Sequence, residues 1–347
     1  MTATVGVGIP LSRICDSVSE RAAALDEHRT DVQADLAQIG AAGLFDLGLG
    51  TGGLPDMVTV IDEIAAHSLA VGFSAWAHRM TLEYLRRGSH ALQHNVFGQL
   101  LSGRRPGVTA MAAGLRYVAG LDDLPVKARR DADGLRLTGP IRWASNVFDD
   151  ALIVLPAAGD AGETYVVAVD VAQPGVAVNP EPNLMALGAT GSTSLRLTDV
   201  TVSPDRILST DLPGFVAAVR PSFLVLQTAF CVGVTRAAVS AAEQVTGGLA
   251  DEFSEQLTSI AGRSRALRDD LYARASDPYA APVPDLIRLR LLTAQLALEA
   301  TRLECTLTGG AAYALGSPAN RRFREAAFLP VQSPSEGQLR WELKQYG

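Results

Sequence analysis

The stretch Leu137-Thr-Gly-Pro-Ile-Arg-Trp-Ala-Ser-Asn-Val-Phe-Asp-Asp150 starts as a strand and ends as something more specialised. Leu135 and Leu137 alternate with Arg136 and Thr138, the period of two expected of a half-buried strand. Just ahead, Arg130-Asp-Ala-Asp-Gly134 reads as a hairpin turn, because Asp-Gly supplies the positive φ that a tight connection needs. The strand then runs into Trp143-Ala-Ser145 beside Asn146. A tryptophan next to a small hydroxyl can stack on a flat heterocycle while the hydroxyl bonds its edge. A core tryptophan of a β-domain leaves the same trace.

Outward from this stretch the period of two continues through Thr164 to Asp170 and Ser194 to Val202, which predicts a β-domain over residues 106–212. On the N-terminal side the apolar spacing changes to three and four. Val32, Leu36 and Ile39 predict one helix, and Val58, Ile61, Ile64, Ala65 and Leu69 a second that starts at Pro55-Asp56. Gly43, Gly48, Gly50, Gly52 and Gly53 separate the two. Residues 1–105 therefore read as a helical domain. Helical spacing returns after Pro213, with long segments predicted at about Pro221 to Val245 and Asp285 to Thr308 and a Pro-rich surface loop from Ala275 to Pro284. Residues 213–347 form a second helical domain in this reading.

The 347 residues, 48% apolar and 19% charged, are enough for two or three ordinary cores. A net charge of −7 offers no broad basic surface for a nucleic acid. Cys15, Cys231 and Cys305 are few, odd in number and far apart, unlike a disulfide framework or metal cluster, so a reducing cytoplasm is the expected compartment. The N-terminus, Met1 to Pro10, lacks the basic and apolar regions of a secretory signal. No uncharged apolar run reaches the ~18 residues of a membrane span. The sequence carries no nucleophile elbow, P-loop or dinucleotide-binding glycine fingerprint, and no metal site is expected.

Leu137 to Asp150 resembles the acyl-CoA dehydrogenase signature Gly-x-Lys-x-Trp-Ile-Ser/Thr-Asn that closes with Ala-Asp. Two further stretches are similar to that superfamily. Leu187-Gly-Ala-Thr-Gly-Ser192 and its continuation to Leu208 resemble the Gly-x-x-x-Ser strand that runs into Asp-Val-x-Val-Pro. Thr308-Gly-Gly-Ala-Ala-Tyr-Ala-Leu-Gly316, followed by Phe323 to Arg340, resembles Gly-Gly-x-Gly-Tyr, then Arg-Asp-Ala, Glu-Gly-Thr and a trailing Arg, in a register free of gaps from Arg324. The resemblance implies an α+β multidomain flavoprotein: an N-terminal helical domain, a barrel- or sandwich-like middle β-domain and a C-terminal four-helix bundle. It implies FAD as cofactor, with Trp143 and Ser145 against the flavin ring and Gln332, Ser333 and Ser335 beside it. It also implies a homodimer or tetramer, in which Gly309 and Gly310 help to receive the FAD of a neighbouring subunit. From the residues alone, that glycine pair reads equally as a helix C-cap or as a site of close backbone approach.

In the same register Ser333 stands where the superfamily's catalytic glutamate belongs. A carboxylate with a pKa raised by desolvation suits removal of a thioester α-proton, and an unassisted serine does not. The alternative position of that glutamate, in the window Arg220 to Gln227, also holds no acid, which leaves Glu336 as the nearest candidate base. The flavin-contacting Thr-Glu-Pro-x-x-Gly-Ser loop is replaced by Thr109 to Gly114, and the Arg-x-x-Phe-Gly motif near Glu243 to Gly248 is missing. His78, beside Trp76 on a predicted helix, reads as a ligand contact or as a structural histidine.

The resemblance thus implies an oxidoreductase of lipid metabolism acting on an acyl thioester such as an acyl-CoA. The alternatives are a flavin-dependent monooxygenase of the same fold, which needs no such base and whose strand Thr190-Gly-Ser192 resembles, and an inert partner subunit in a hetero-oligomer with a catalytic homologue.

Overall fold

The structure, a computed structural model, describes residues 4–50 and 53–346. Of the stretches read above, Met1 to Ala3 and Gly52 lie outside the described residues. Five helices come first: α1 (Thr4–Asp26), α2 (Gln33–Ala41), α3 (Pro55–His67), α4 (Leu69–Leu85) and α5 (His90–Leu101). Strand β1 (Gly107–Thr109) and helix α6 (Ala112–Val118) lead into β2 (Lys127–Asp131), β3 (Gly134–Ala144), β4 (Leu152–Gly159), β5 (Thr164–Asp170), β6 (Val176–Val178), β7 (Thr193–Val202) and β8 (Ile207–Ser209). Five helices close the chain: α7 (Leu212–Glu243), α8 (Ser254–Ala275), α9 (Val283–Thr308), α10 (Pro318–Ala326) and α11 (Glu336–Gln345).

The strands make one sheet in the order β6-β7-β3-β2-β4-β5-β8, with β1 added parallel to β4. The predicted hairpin is the β2–β3 turn, where Asp131 pairs with Gly134. Gly134 has φ 136°, and a Cβ there would meet the Val202 carbonyl at 2.2 Å, so only glycine fits. β4 is buried on both faces, as its nearly continuous apolar run Leu152-Ile-Val-Leu requires. Ile153 and Leu155 face the sheet's own core with Leu135, Leu137 and Val200. Leu152 and Val154 face the helices, in a core that unites α1 to α4 with α7 and α9. The two helical thirds therefore share one interior, against which the sheet is pressed.

Two helix boundaries differ from the sequence expectation. The apolar series through Leu69 is broken at Ser68, whose backbone is extended (φ −154°) and caps α4. Ile64 and Leu69 stay in phase because α3 and α4 bury faces in the same core. Helix α7 begins at Leu212, ahead of Pro221, and runs through the proline. A proline inside a helix costs about 3 kcal/mol, but α7 is buried continuously from Val219 to Thr235, and that packing outweighs the lost bond. The same helix is long and apolar enough to cross a membrane, and here its apolar surface lies inside the protein.

Candidate active site

A cleft of about 1030 Å3 opens where β3 and α6 face α4, α7, α10 and the segment before α11. This is at the upper end of the ~300–1,000 Å3 common for ligand sites. Its position depends on an irregularity in the sheet. Ile141 pairs with Leu195 and Ala144 with Thr193, so two residues of β3, Arg142 and Trp143, stand opposite one of β7. Such a bulge bends a strand and re-aims its side chains, and Trp143 is left 58% exposed on the cleft wall.

Immediately after the bulge, Asn146 holds the turn. It adopts φ 63°, its amide donates to the carbonyls of Ser74 (2.9 Å) and Gly107 (3.2 Å), and its N–H donates to the Thr190 carbonyl (2.7 Å). The neighbouring Ser145 reaches the cleft with its hydroxyl 2.6 Å from that of Ser192, which lies 2.7 Å from that of Thr190. The Thr190 hydroxyl in turn donates to the Leu187 carbonyl over 2.6 Å.

The interior wall is aromatic. Phe73 stacks on Trp76 with ring centroids 5.6 Å apart, and Phe328 and Phe223 meet them edge-on at 5.0 Å. The opposite rim carries Gln332, Ser333 and Ser335. Gln332 is buried and accepts from the Gln227 amide and from Arg290 Nη2 (3.2 Å). Gln227 also donates to the Ser333 carbonyl (2.9 Å), as does the Gln332 amide (2.8 Å). The Ser333 hydroxyl is buried without a partner. Ser335 caps α11 by accepting from the Gln338 N–H over 3.3 Å.

Among the described residues lining the cleft, the carboxylates are Asp122 and Asp123. Asp122 is committed to Arg116 at 2.5 Å, and that bond holds it below the ordinary carboxylate range. Arg324, also on the cleft, is bound through two nitrogens to Asp26 of α1 and donates to the Met185 carbonyl.

The sequence-derived candidates thus separate. Trp143, Ser145, Gln332, Ser333 and Ser335 come together around the cleft. Glu336 does not line it. It opens α11 with its carboxylate bound by Arg340 (2.7 Å) and Gln295 (3.1 Å), and the Arg340 bond lowers its pKa, the opposite of what a base requires. Gly309 and Gly310 lie elsewhere, at the end of α9, where Gly309 (φ 70°) is the C-cap and a Cβ on either would meet nothing within 4 Å. His78 is structural. It is fully buried, with Nε2 donating to the Leu100 carbonyl and Nδ1 accepting from the Gly107 N–H, both at 2.9 Å. Sequence reasoning does not join Arg290, Gln227 and the Ser192–Thr190 pair to the site, although a lone amide in the apolar run Leu224 to Phe230 is a visible signal.

No family model and no curated protein sequence matches the chain. Solved structures do. Glutaryl-coenzyme A dehydrogenase in its glutaryl-CoA complex superposes with a TM-score of 0.87 at 16% identity, over 99% of this chain and 95% of that one. Butyryl-CoA dehydrogenase from Megasphaera elsdenii gives 0.87 at 15%, over 100% and 99%. The fold is that of the acyl-CoA dehydrogenases. The FAD complex of PigA shares it too, at a TM-score of 0.81 and 16% identity over 98% and 97% of the two chains. Within the acyl-CoA dehydrogenase fold the reaction has to be argued from the site itself.

Proposed function

We propose that this chain is an FAD-dependent oxidoreductase that holds its flavin in the cleft between β3 and the segment before α11. The observation that carries the proposal is Trp143, turned out of the sheet by the bulge and exposed beside Ser145 on the wall of an aromatic-sided cleft. An indole left more than half in solvent at such a place fits a surface for a flat heterocycle. The unpaired Ser333 hydroxyl, the Ser335 hydroxyl and the Ser145 hydroxyl supply edge contacts around it. FAD, when bound, supplies a two-electron acceptor for hydride. The chain's own residues bind and orient it, and the aromatic wall excludes water from the interior.

The substrate class is an acyl thioester, supported by the fold and by a cleft large enough for more than the ring. Gly309 and Gly310, exposed with Tyr313 and Leu315 at the end of α9, serve a neighbouring copy in a homodimer or tetramer. In this reading residues 1–105, 106–212 and 213–347 act as three domains around the cofactor.

A second reading, a flavin monooxygenase, is favoured by one specific observation. The carboxylates on the cleft stand at Asp122 and Asp123, and Ser333 offers a neutral hydroxyl in place of a base. Oxygen activation by reduced flavin needs no α-proton base. The decisive experiment is the visible spectrum of the purified chain, followed by anaerobic titration with a panel of acyl-CoA thioesters. Bleaching near 450 nm supports thioester oxidation. A flavin band without bleaching, but with O2 consumption after chemical reduction and a stable C4a adduct in stopped flow, supports the monooxygenase. A chain that neither carries nor takes up flavin overturns both and leaves the inert partner subunit.

A further inference from the structure

Three hydroxyls, two on the cleft wall and Thr190 behind it, fix the direction of a proton. The Leu187 carbonyl can only accept, so the Thr190 hydroxyl, 2.6 Å away, commits its one proton there. Thr190 then meets Ser192 with lone pairs alone. Across 2.7 Å a contact without a proton would set two lone pairs against each other, so Ser192 donates to Thr190. The same step sends the Ser145 proton to Ser192 across 2.6 Å. The chain is anchored at its far end: Thr190 is fully buried, its N–H donates to the Leu187 carbonyl (3.2 Å) and its carbonyl accepts from Asn146. Ser145 therefore reaches the cleft with its proton spent and only lone pairs to offer.

We propose that Thr190 and Ser192 are positioning residues that hold Ser145 as an obligate hydrogen-bond acceptor toward the cleft, so that the site favours reduced over oxidised flavin. This rests on the proposal that the cleft takes FAD. Oxidised flavin presents a bare ring nitrogen, N5, as an acceptor. Reduction delivers two electrons and places a proton on that nitrogen, which turns it into a donor. An acceptor-only serine matches the N–H and opposes the bare nitrogen.

The test is the reduction potential of FAD bound to the full chain, measured under anaerobic reduction with dithionite against a reference dye. Ser192→Ala releases the Ser145 proton. Thr190→Val does the same one step back, since Ser192 is then free to donate to Ser145. Both variants are expected to shift the ratio of reduced to oxidised affinity about tenfold toward the oxidised form, which for a two-electron couple lowers the potential by about 30 mV. Ser192→Thr preserves the relay and keeps the wild-type potential. Should one variant fail to fold, the other decides. Potentials that stay unchanged or rise in the variants overturn the proposal while leaving the flavin site standing. A wild-type chain that takes up neither form of FAD overturns the flavin reading itself, and this inference with it.

Discussion

Arg290 Nη2 donates to the Gln332 side chain at 3.2 Å, yet no ion pair reaches the Arg290 guanidinium among the described residues. Its Nε and Nη1 lack partners, and burial pushes its pKa down. What balances it is the Leu329 carbonyl, the Gln332 amide oxygen and the face of Phe230, 5.8 Å from the ring centroid. A buried charge without a counter-charge is expensive, whereas a buried amide shared by two acceptors is worth keeping. Arg290→Met is therefore expected to be at least as stable as wild type in urea. Gln227→Leu, which removes a donor from both Gln332 and Ser333, is expected to lose about 1 kcal/mol. The cost is modest because each acceptor retains another donor.

Stability against pH follows from two buried groups of opposite sign. Burial pushes His78 down to about 4. The unfolded chain, with an ordinary value near 6.5, takes up the proton first as pH falls. Stability present above about 6.5 is then lost toward about 4, by roughly 3 kcal/mol in total. Burial pushes Asp35 up to about 6 despite its ion pair with Arg21. In this case the folded state takes the proton first, and stability is gained as pH falls from about 6 toward the ordinary carboxylate value. The two windows overlap and oppose each other. His78→Gln is expected to make stability rise on acidification between pH 6 and 4, and Asp35→Asn to make it fall more steeply. Urea melts across that range measure both slopes.

The alternation from Ser194 to Val202 and the three-four spacing of α2, α3 and α9 were legible because each element buries one face, and burial writes a period into the sequence. Boundaries were less so. Pro221 looks like a helix start, but in α7 tertiary packing overrides it. At Ser68 the apolar phase runs on through a real break because both helices serve one core. In the site, Trp143 and Ser145 were legible as a local motif. The relay from Ser145 to Ser192 was not, since it joins two residues 47 positions apart through sheet register. The same holds for Glu336, whose place in the sequence does not tell where its carboxylate turns. Three residues from Ser333 in sequence is close, but the start of α11 turns its carboxylate to Gln295 and Arg340.

Trp143 separates binding from folding. Already 58% exposed, it contributes little to the core, so Trp143→Ala is expected to change stability by less than ~0.5 kcal/mol. Loss of an aromatic stacking surface for a flat ring costs about 1–3 kcal/mol where measured for bases, or roughly tenfold or more in flavin affinity. Flavin fluorescence titration beside a thermal melt reads the two effects independently. Equal loss in both would place Trp143 in the core rather than on the ligand.

Ser333 and Glu336 test what the cleft lacks. Glu336→Gln removes a carboxylate bound by Arg340 on the surface of α11, where exposed pairs are worth about 0–1 kcal/mol. Turnover is expected to stay within twofold of wild type, and a large loss would restore Glu336 as the base. Ser333→Glu puts a carboxylate where a buried hydroxyl now has no partner. With little solvent and no cation hydrogen-bonded to it, such a group would have a raised pKa, the state suited to proton abstraction. If the chain binds an acyl thioester against its flavin and is short only of a base, this one change is expected to accelerate anaerobic bleaching by about 10²–10⁴-fold. If bleaching does not increase while flavin stays bound, the missing element is the thioester itself, and the oxygen-activating reading takes precedence.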